Sequence, residues 1–338
     1  YRRALNAIEG NLCRCTGYGS IRKAADKLAK AYPVLPEDFP ARLDFLAEAG
    51  ILPRALAATM LNLPVPVGER SGATRTLGGG TDFFVQNPDP DIALVPGYTD
   101  QEPDAQRIRL EGDTIAVGSA VTMRDFFAAP EILAMAPGIG AFEEFIASLP
   151  IRNRATLAGN IANASPIADM TSILLALGAE VALADGSGKQ RRLPLADAFI
   201  GYKKLAFNEG ERIASIRLKA EPLRLSFEKV AKRAHLDIAS VNSALAIREN
   251  PDGTIRDARL SFGGVGPVPL CIASASELLC GKKISAALVK RLAEAAVGEA
   301  KPISDVRGSA EYRTRLVYRL VLAHAVRLWP ALEEELLP

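Results

Sequence analysis

Ile151-Arg152-Asn153-Arg154-Ala155-Thr156-Leu157-Ala158-Gly159-Asn160-Ile161 runs on through Ala164-Ser165-Pro166-Ile167-Ala168-Asp169 into a helical stripe at Met170, Ile173, Leu174 and Leu177. Small residues are dense here, hydroxyls and amides recur, and one acid closes the run. Small side chains let a backbone come close to a ligand, and the start of a helix favours an anion. The same text also reads as a polar loop leading into a helix. Upstream, Thr76-Leu77-Gly78-Gly79-Gly80-Thr81-Asp82 follows a short strand. It is neither G-x-G-x-x-G nor a Walker A loop. Its N–H groups can turn toward phosphate oxygens, although a glycine run after a strand is also an ordinary turn.

Working outward, residues 74 to 220 alternate between the two periodicities. Thr74–Leu77, Ile92–Val95, Arg107–Leu110, Thr114–Val117 and Glu180–Ala184 read as short strands, and Phe142, Phe145, Ile146 and Leu149 as a second helical stripe. This predicts a mixed α/β or α+β domain. From 224 to 265 the pattern is antiparallel: Val241–Ile247 and Ile255–Phe262 alternate around the turn text Asn250-Pro251-Asp252-Gly253. Two helical stretches over 285–332 close the chain. At the other end, residues 1–33 read as two helices, with Ser20 as an N-cap and Pro33 ending the run. Prolines at 33, 36, 40, 53, 64 and 66 mark 34–70 as a linker with helical fragments.

The 338 residues carry 41 basic and 39 acidic side chains, a net charge of +2. That balance gives no electrostatic case for nucleic acid or a membrane surface. No apolar run is long enough to cross a bilayer, and no secretory signal opens the text. Four cysteines in a chain this long do not make a disulfide scaffold, which points to a reducing compartment. His235 and His324 stand far apart, so a histidine metal site or a Ser-His-Asp relay is poorly supported. Cys13 and Cys15 lie one residue apart between the two N-terminal helices, a spacing that suits two thiolates gripping one edge of a cluster and equally suits two packed thiols. Cys271 and Cys280 read as packed core thiols.

The wider strings carry a resemblance. Gly10-Asn11-Leu12-Cys13-Arg14-Cys15-Thr16-Gly17-Tyr18 resembles the second cysteine pair of the helical [2Fe–2S] domain of molybdenum hydroxylases, a family that includes xanthine dehydrogenases, aldehyde oxidoreductases and carbon monoxide dehydrogenases. The family's other two ligands sit in a preceding C-x-x-C pair, which would fall before Tyr1; residues preceding Tyr1 are therefore expected. The two glycine loops resemble the FAD-binding domain of the same family, where they read like GGGTD and IRNxATxGGNIxxASPxSD. Ala158 stands in place of the first glycine of GGN, and Ala168 in place of the serine before the aspartate; alanine is the smallest change at each. Asp237-Ile238-Ala239, Phe262-Gly263-Gly264-Val265, Ser304-Asp305-Val306-Arg307 and Tyr312-Arg313 resemble the family's C-terminal flavoprotein domain.

The resemblance implies a multidomain α+β chain: 1–33 as the C-terminal half of a helical [2Fe–2S] domain, 34–70 as a linker, 71–222 as a two-layer α+β FAD-binding domain, and 223–333 as a C-terminal domain of antiparallel sheet plus helices. Carried over position by position, Leu77, Gly78, Gly79, Gly80, Thr81, Asp82, Gly159 and Asn160 would line the FAD pyrophosphate. Thr156, Asn163 and Ser165 would add side-chain hydrogen bonds. Asp169 would sit at the ribityl and ring side, with Lys229 near the isoalloxazine and Ile213 against it. Read by itself, Lys229 also fits a solvated strand lysine. Cys13 and Cys15 would be ligands of one [2Fe–2S] cluster. No molybdopterin site is legible, so the resemblance implies a molybdopterin-binding partner subunit, electrons passing through [2Fe–2S] to FAD and on to NAD⁺, a higher heteromeric assembly and a cytoplasmic location. Fusing the two cofactor domains in one chain is the arrangement of the small subunit of bacterial xanthine dehydrogenase, so xanthine or hypoxanthine is the expected substrate. The alternatives are a carbon monoxide dehydrogenase-like, aldehyde- or heterocycle-oxidising hydroxylase, a non-catalytic assembly subunit, and a stand-alone FAD reductase of the peptidoglycan-precursor type.

Overall fold

The computed structural model describes residues 2–8, 19–62, 76–90, 97–99, 104–233 and 236–336. The chain forms two compact units, Tyr1–Glu69 and Arg70–Pro338.

In the first unit α1 spans Arg2–Ala7 and α2 Gly19–Ala31. The stretch read as a proline-rich linker with helical fragments carries two helices, α3 (Phe39–Glu48) and α4 (Arg54–Leu61). The prolines position these helices. Pro40 sits in the first turn of α3, where its missing N–H is no loss, and Asp38 caps that turn by accepting from the Ala41 N–H at 3.0 Å. Pro53 precedes α4. Tyr32 meets Phe45 edge to face, with centroids 5.9 Å apart. Cys13 and Cys15 lie outside the described residues.

The second unit opens on β1 (Thr76–Leu77), α5 (Thr81–Gln86) and β2 (Gly97–Tyr98), with β1 and β2 parallel. The strand expected at Ile92–Val95 falls outside the described residues. Next come β3 (Ile108–Glu111), β4 (Thr114–Gly118), α6 (Met123–Ala128) and α7 (Pro130–Met135). The stripe expected as one helix over 142–149 is instead a 3₁₀ stretch, Ile139–Phe145, followed by α8 (Leu149–Arg152). The break falls at Ala147, whose φ of 46° is incompatible with a right-handed helix. There the buried Arg152 donates to the carbonyls of Ile146 and Ala147. Then follow α9 (Leu157–Ala162), α10 (Asp169–Ala176), β5 (Glu180–Ala184), β6 (Gln190–Pro194), a hairpin of β7 (Phe199–Gly201) and β8 (Lys204–Leu205), and β9 (Arg212–Lys219). Strands β3-β4-β9-β5-β6 make one antiparallel sheet. Its inner face presents Ile115, Val117, Val181, Leu183, Ile216 and Leu218 to the helices, all within 1% of full burial.

A second antiparallel sheet, β10 (Arg224–Val230), β11 (Val241–Glu249), β12 (Ile255–Gly263) and β13 (Leu270–Cys271), follows in sequence order. Its turn is the expected one, with Gly253 at φ 80°. Helices α11 (Ala273–Leu279), α12 (Ala286–Glu299) and α13 (Ala310–Leu328) pack with it, and α14 (Glu333–Leu336) ends the described chain. Leu245 and Ile247 of β11 join the core under α12 and α13, while Ala244 and Ala246 join the core of the first sheet. This strand is buried on both faces, so its apolar run Ala244–Ile247 is not confined to alternate positions. Helix α10 packs against both β11 and β12. Every residue from Met170 to Ala176 is buried, as expected for a helix enclosed on all sides.

Candidate flavin site at the meeting of two glycine loops

The two glycine loops are brought together. Gly80, at φ 73°, is the N-cap of α5, a conformation an L side chain rarely adopts. Gly78 and Gly79 press against the loop before α9. A Cβ on Gly79 would lie 1.6 Å from the Arg154 carbonyl oxygen, and one on Gly78 would lie 2.3 Å from Thr156 Oγ1. Glycine is thus demanded here by backbone meeting backbone, before any ligand is considered. Thr156 caps α9, its Oγ1 accepting from the Gly159 N–H at 2.9 Å. A polar cleft of about 200 Å³ opens beside these residues, lined among others by Gly78, Gly79, Asn153 and Thr156.

From α9 the expected residues diverge in use. Asn160 turns its Oδ1 to accept from the Thr171 hydroxyl at 3.0 Å, tying α9 to α10. Asn163 is the C-cap of α9, and Lys203 Nζ donates to its backbone and side-chain oxygens at 2.7 and 2.6 Å. Ser165 is half-buried and accepts from the Ile167 N–H at 3.5 Å. Leu77 and Thr81 are half-buried at the ends of the first loop. Asp82 is exposed on α5 and accepts from Gln86 one turn on. Ile213 lies in the core of the first sheet, opposite a register shift in β5.

Asp169 and Lys229, separated by 60 residues, meet at 2.6 Å. Lys229 is no solvated strand lysine: its side chain is 8% exposed, and it also donates to the Phe145 carbonyl at 2.7 Å. Asp169 Oδ1 accepts from Asn242 Nδ2 at 2.7 Å. Burial pushes the Asp169 carboxyl above its ordinary range, opposed by Lys229 and Asn242. An ammonium has three N–H donors and a carboxylate about four acceptor sites. Among the described residues both groups therefore keep hydrogen-bonding capacity beyond the bonds they make.

Asn242 is the residue the sequence reading missed. It stands in Val241-Asn242-Ser243-Ala244-Leu245, a strand read as alternating, where the adjacent polar pair Asn242-Ser243 breaks the alternation and a buried amide must find partners. That misfit was the available signal. The C-terminal strings find their place too. Gly264, at φ 83°, donates its N–H to the Pro166 carbonyl at 2.9 Å. Buried Arg313 bridges the Gly264 carbonyl and Asp305. Cys271 and Cys280 are half-buried free thiols. Among the described residues no group of three or more His, Cys, Asp or Glu is arranged to hold a metal, and no helix is long and apolar enough to cross a membrane.

A family profile described as the FAD binding domain in molybdopterin dehydrogenase matches residues 65–219, and one described as the CO dehydrogenase flavoprotein C-terminal domain matches 226–326. The medium chain of glyceraldehyde dehydrogenase from Sulfolobus acidocaldarius is 30% identical over 209 residues, 62% of this chain and 73% of that protein. The chain belongs to the flavoprotein subunits of the molybdenum hydroxylase family. The carbon monoxide dehydrogenase medium chain of Hydrogenophaga pseudoflava is 28% identical over 65% of this flavoprotein and 76% of its own length. A nicotinate hydroxylase of Emericella nidulans is 36% identical over 57% of this flavoprotein, which spans only 14% of that longer protein. The solved carbon monoxide dehydrogenase from Oligotropha carboxidovorans superposes with a TM-score of 0.68 at 26% identity, covering 75% of this flavoprotein and 88% of that chain. The mixed helix-and-sheet architecture of residues 70–338 is that of the medium-chain fold, and the chain is an oxidoreductase subunit.

Proposed function

We propose that this flavoprotein binds FAD across the two glycine loops and relays electrons between a molybdopterin-bearing partner and a soluble acceptor. The observation that carries the reading is the convergence of the two loops, Gly78 and Gly79 against Arg154–Gly159, followed in the chain by α10, whose first residue Asp169 forms with Lys229 a largely buried pair that retains hydrogen-bonding capacity. The donor set fits a flavin dinucleotide. Backbone N–H groups at Gly78–Gly80 and Gly159–Asn160 suit a pyrophosphate, Thr156, Asn163 and Ser165 add polar contacts, and Asp169 with Lys229 suits the polar edge of a ring. Leu77, Thr81 and Ile213 contribute apolar and small contacts, and exposed Asp82 stands at the loop's outer end. Bound FAD would supply a centre that exchanges electrons singly and in pairs, which the protein tunes by charge and hydrogen bonding. The chain's own part is to hold the phosphates on the glycine backbone, orient the ring and keep one ion pair beside it.

The finer reading keeps Cys13 and Cys15 as ligands of one [2Fe–2S] cluster completed by residues before Tyr1, with NAD⁺ as acceptor. Xanthine or hypoxanthine remains a candidate substrate. The relatives' names span carbon monoxide, glyceraldehyde, nicotine and xanthine, and the carbon monoxide dehydrogenase-like alternative fits at least as well. The choice belongs to the partner's pocket.

The test is titration of the purified full chain with FAD, followed by flavin absorbance and fluorescence. Wild type is expected to take up one FAD per chain. Gly79→Val is expected to lose it and also to lose stability, because the side chain meets the Arg154 backbone. Undiminished FAD uptake by Gly79→Val would overturn the loop assignment.

A further inference from the structure

Asn242 lies on β11, at the boundary between the two sheets, and is fully buried. One N–H of its amide points to Asp169 Oδ1 at 2.7 Å and the other to the Ile167 carbonyl at 3.0 Å. Its Oδ1 accepts from the Ser172 hydroxyl at 2.6 Å. These partners fix which way the amide faces: a flipped amide would set an oxygen against two acceptors and its N–H₂ against a donating hydroxyl. The fold makes room for it. Gly263 pairs with Asn242 across the β11–β12 ladder, and a Cβ there would lie 2.5 Å from Asn242 Oδ1. The first glycine of Gly263-Gly264 is therefore explained by the amide it faces.

We propose that Asn242 is a positioning residue for Asp169, through which the C-terminal domain sets the redox poise of the flavin; this rests on the flavin reading above. Asp169 begins α10 and has two carboxylate oxygens to orient. Lys229 holds Oδ2 and Asn242 holds Oδ1, so the carboxylate cannot turn about its Cβ–Cγ bond. Lys229 lies on β10 and Asn242 on β11. Asp169 is thus gripped by two adjacent strands of the sheet that the FAD-binding loops do not belong to. A charge beside a flavin shifts its potential, and a fixed carboxylate shifts it by a fixed amount.

The experiment uses the full chain loaded with FAD and measures the flavin midpoint by dye-coupled titration. Asn242→Asp keeps the size and the acceptor for Ser172 but turns the donor to Asp169 into a second carboxyl. Two carboxyls this close share one proton, so the fixed amide donor to Asp169 is lost, and the midpoint is expected to shift by about 30 mV or more, a tenfold change in the ratio of reduced to oxidised flavin for a two-electron couple. Ser172→Ala removes the bond to Asn242 Oδ1 and leaves the donor to Asp169. It is expected to lower thermal stability without moving the midpoint. If Asn242→Asp does not fold, Gly263→Ala presses on the same amide from across the ladder and is expected to move the midpoint in a folded protein. An unchanged midpoint in a folded Asn242→Asp or Gly263→Ala protein would overturn the proposal. So would a shift in Ser172→Ala as large as that in Asn242→Asp, because the effect would then be one of packing. Wild-type protein that takes up no FAD would overturn the flavin reading beneath it.

Discussion

Two buried polar clusters sit on the same sheet, and only in one do the titratable groups have hydrogen-bonding sites to spare. Around Asp169, Lys229 and Asn242 the charges are paired at 2.6–2.7 Å, yet donors and acceptors remain. Around His324 both ring nitrogens are used. Nδ1 lies 2.8 Å from Ser226 Oγ and Nε2 lies 2.9 Å from Ser243 Oγ. Ser243 donates its hydroxyl hydrogen to the Ser261 carbonyl at 2.9 Å, so it must accept from the ring. His324 therefore carries its proton on Nε2, and Nδ1 accepts from Ser226. The ring is neutral, and burial, aided by the Arg327 charge, lowers its pKa to about 3. A strongly perturbed titratable group is thus no guide to function by itself. What separates the two clusters is whether the titratable group's own hydrogen-bonding sites are all used.

Removing a charge from the open cluster should have the largest effect. Lys229→Ala leaves Asp169 buried without its cation, a change that costs about 3–5 kcal/mol when the remaining group stays charged. The cost falls below that to the extent that Asp169 takes up a proton, which its raised pKa favours. Urea denaturation should show a large drop in stability, and FAD titration at least a tenfold loss of affinity. Near-wild-type affinity in a folded Lys229→Ala protein would place the pair away from the flavin and collapse the contrast between the clusters.

The closed cluster should respond in stability alone, and with a definite pH dependence. The unfolded imidazole titrates near 6.5 and the folded one at about 3. Between those values the unfolded state binds a proton that the native state refuses. The contribution of His324 is complete above pH 6.5 and is lost as pH falls toward 3, by up to about 1.4 kcal/mol per unit. His324→Gln should be less stable at pH 7 by roughly 1–3 kcal/mol, since one serine loses its partner. Its stability should also fall less steeply than wild type between pH 6.5 and 4.5. FAD affinity should stay the same. Parallel stability curves for the two proteins over that range would show that His324 does not control the acid limb.

Much of this was legible in the text, for identifiable reasons. Gly78–Gly80 and Thr156–Asn160 are local strings whose small residues and caps act within a turn or two, so sequence order alone marks them. The α10 stripe and the β11–β12 hairpin were legible from periodicity and from Asn250–Gly253. The joined helix over 142–149 was not, because Ala147 in the left-handed region is held by Arg152, and that contact exists only after folding. The partners of Asn242 were unreadable for the same reason: Asp169 and Ser172 lie 73 and 70 residues away. Helices α3 and α4 were read only as helical fragments of a linker, because prolines that stand before or at the start of a helix look like breaks in it.

The smallest expected effect comes from a polar link that is neither buried nor closed. Lys203 is exposed at the turn between β7 and β8, with φ 56°, and it donates to both oxygens of Asn163. Holding an L-residue in that conformation costs about 1–2 kcal/mol, while each exposed hydrogen bond contributes about 0.5–1.5 kcal/mol. The two terms nearly offset. Lys203→Gly removes both the strain and the bonds, so its stability should stay within about 1 kcal/mol of wild type. Lys203→Ala keeps the strain and loses the bonds, and should be the less stable of the two variants. Urea midpoints of the three proteins rank them directly. An alanine variant as stable as wild type would show that the lysine bonds contribute nothing at 203. The lysine would then be a surface residue with no part in holding the end of α9.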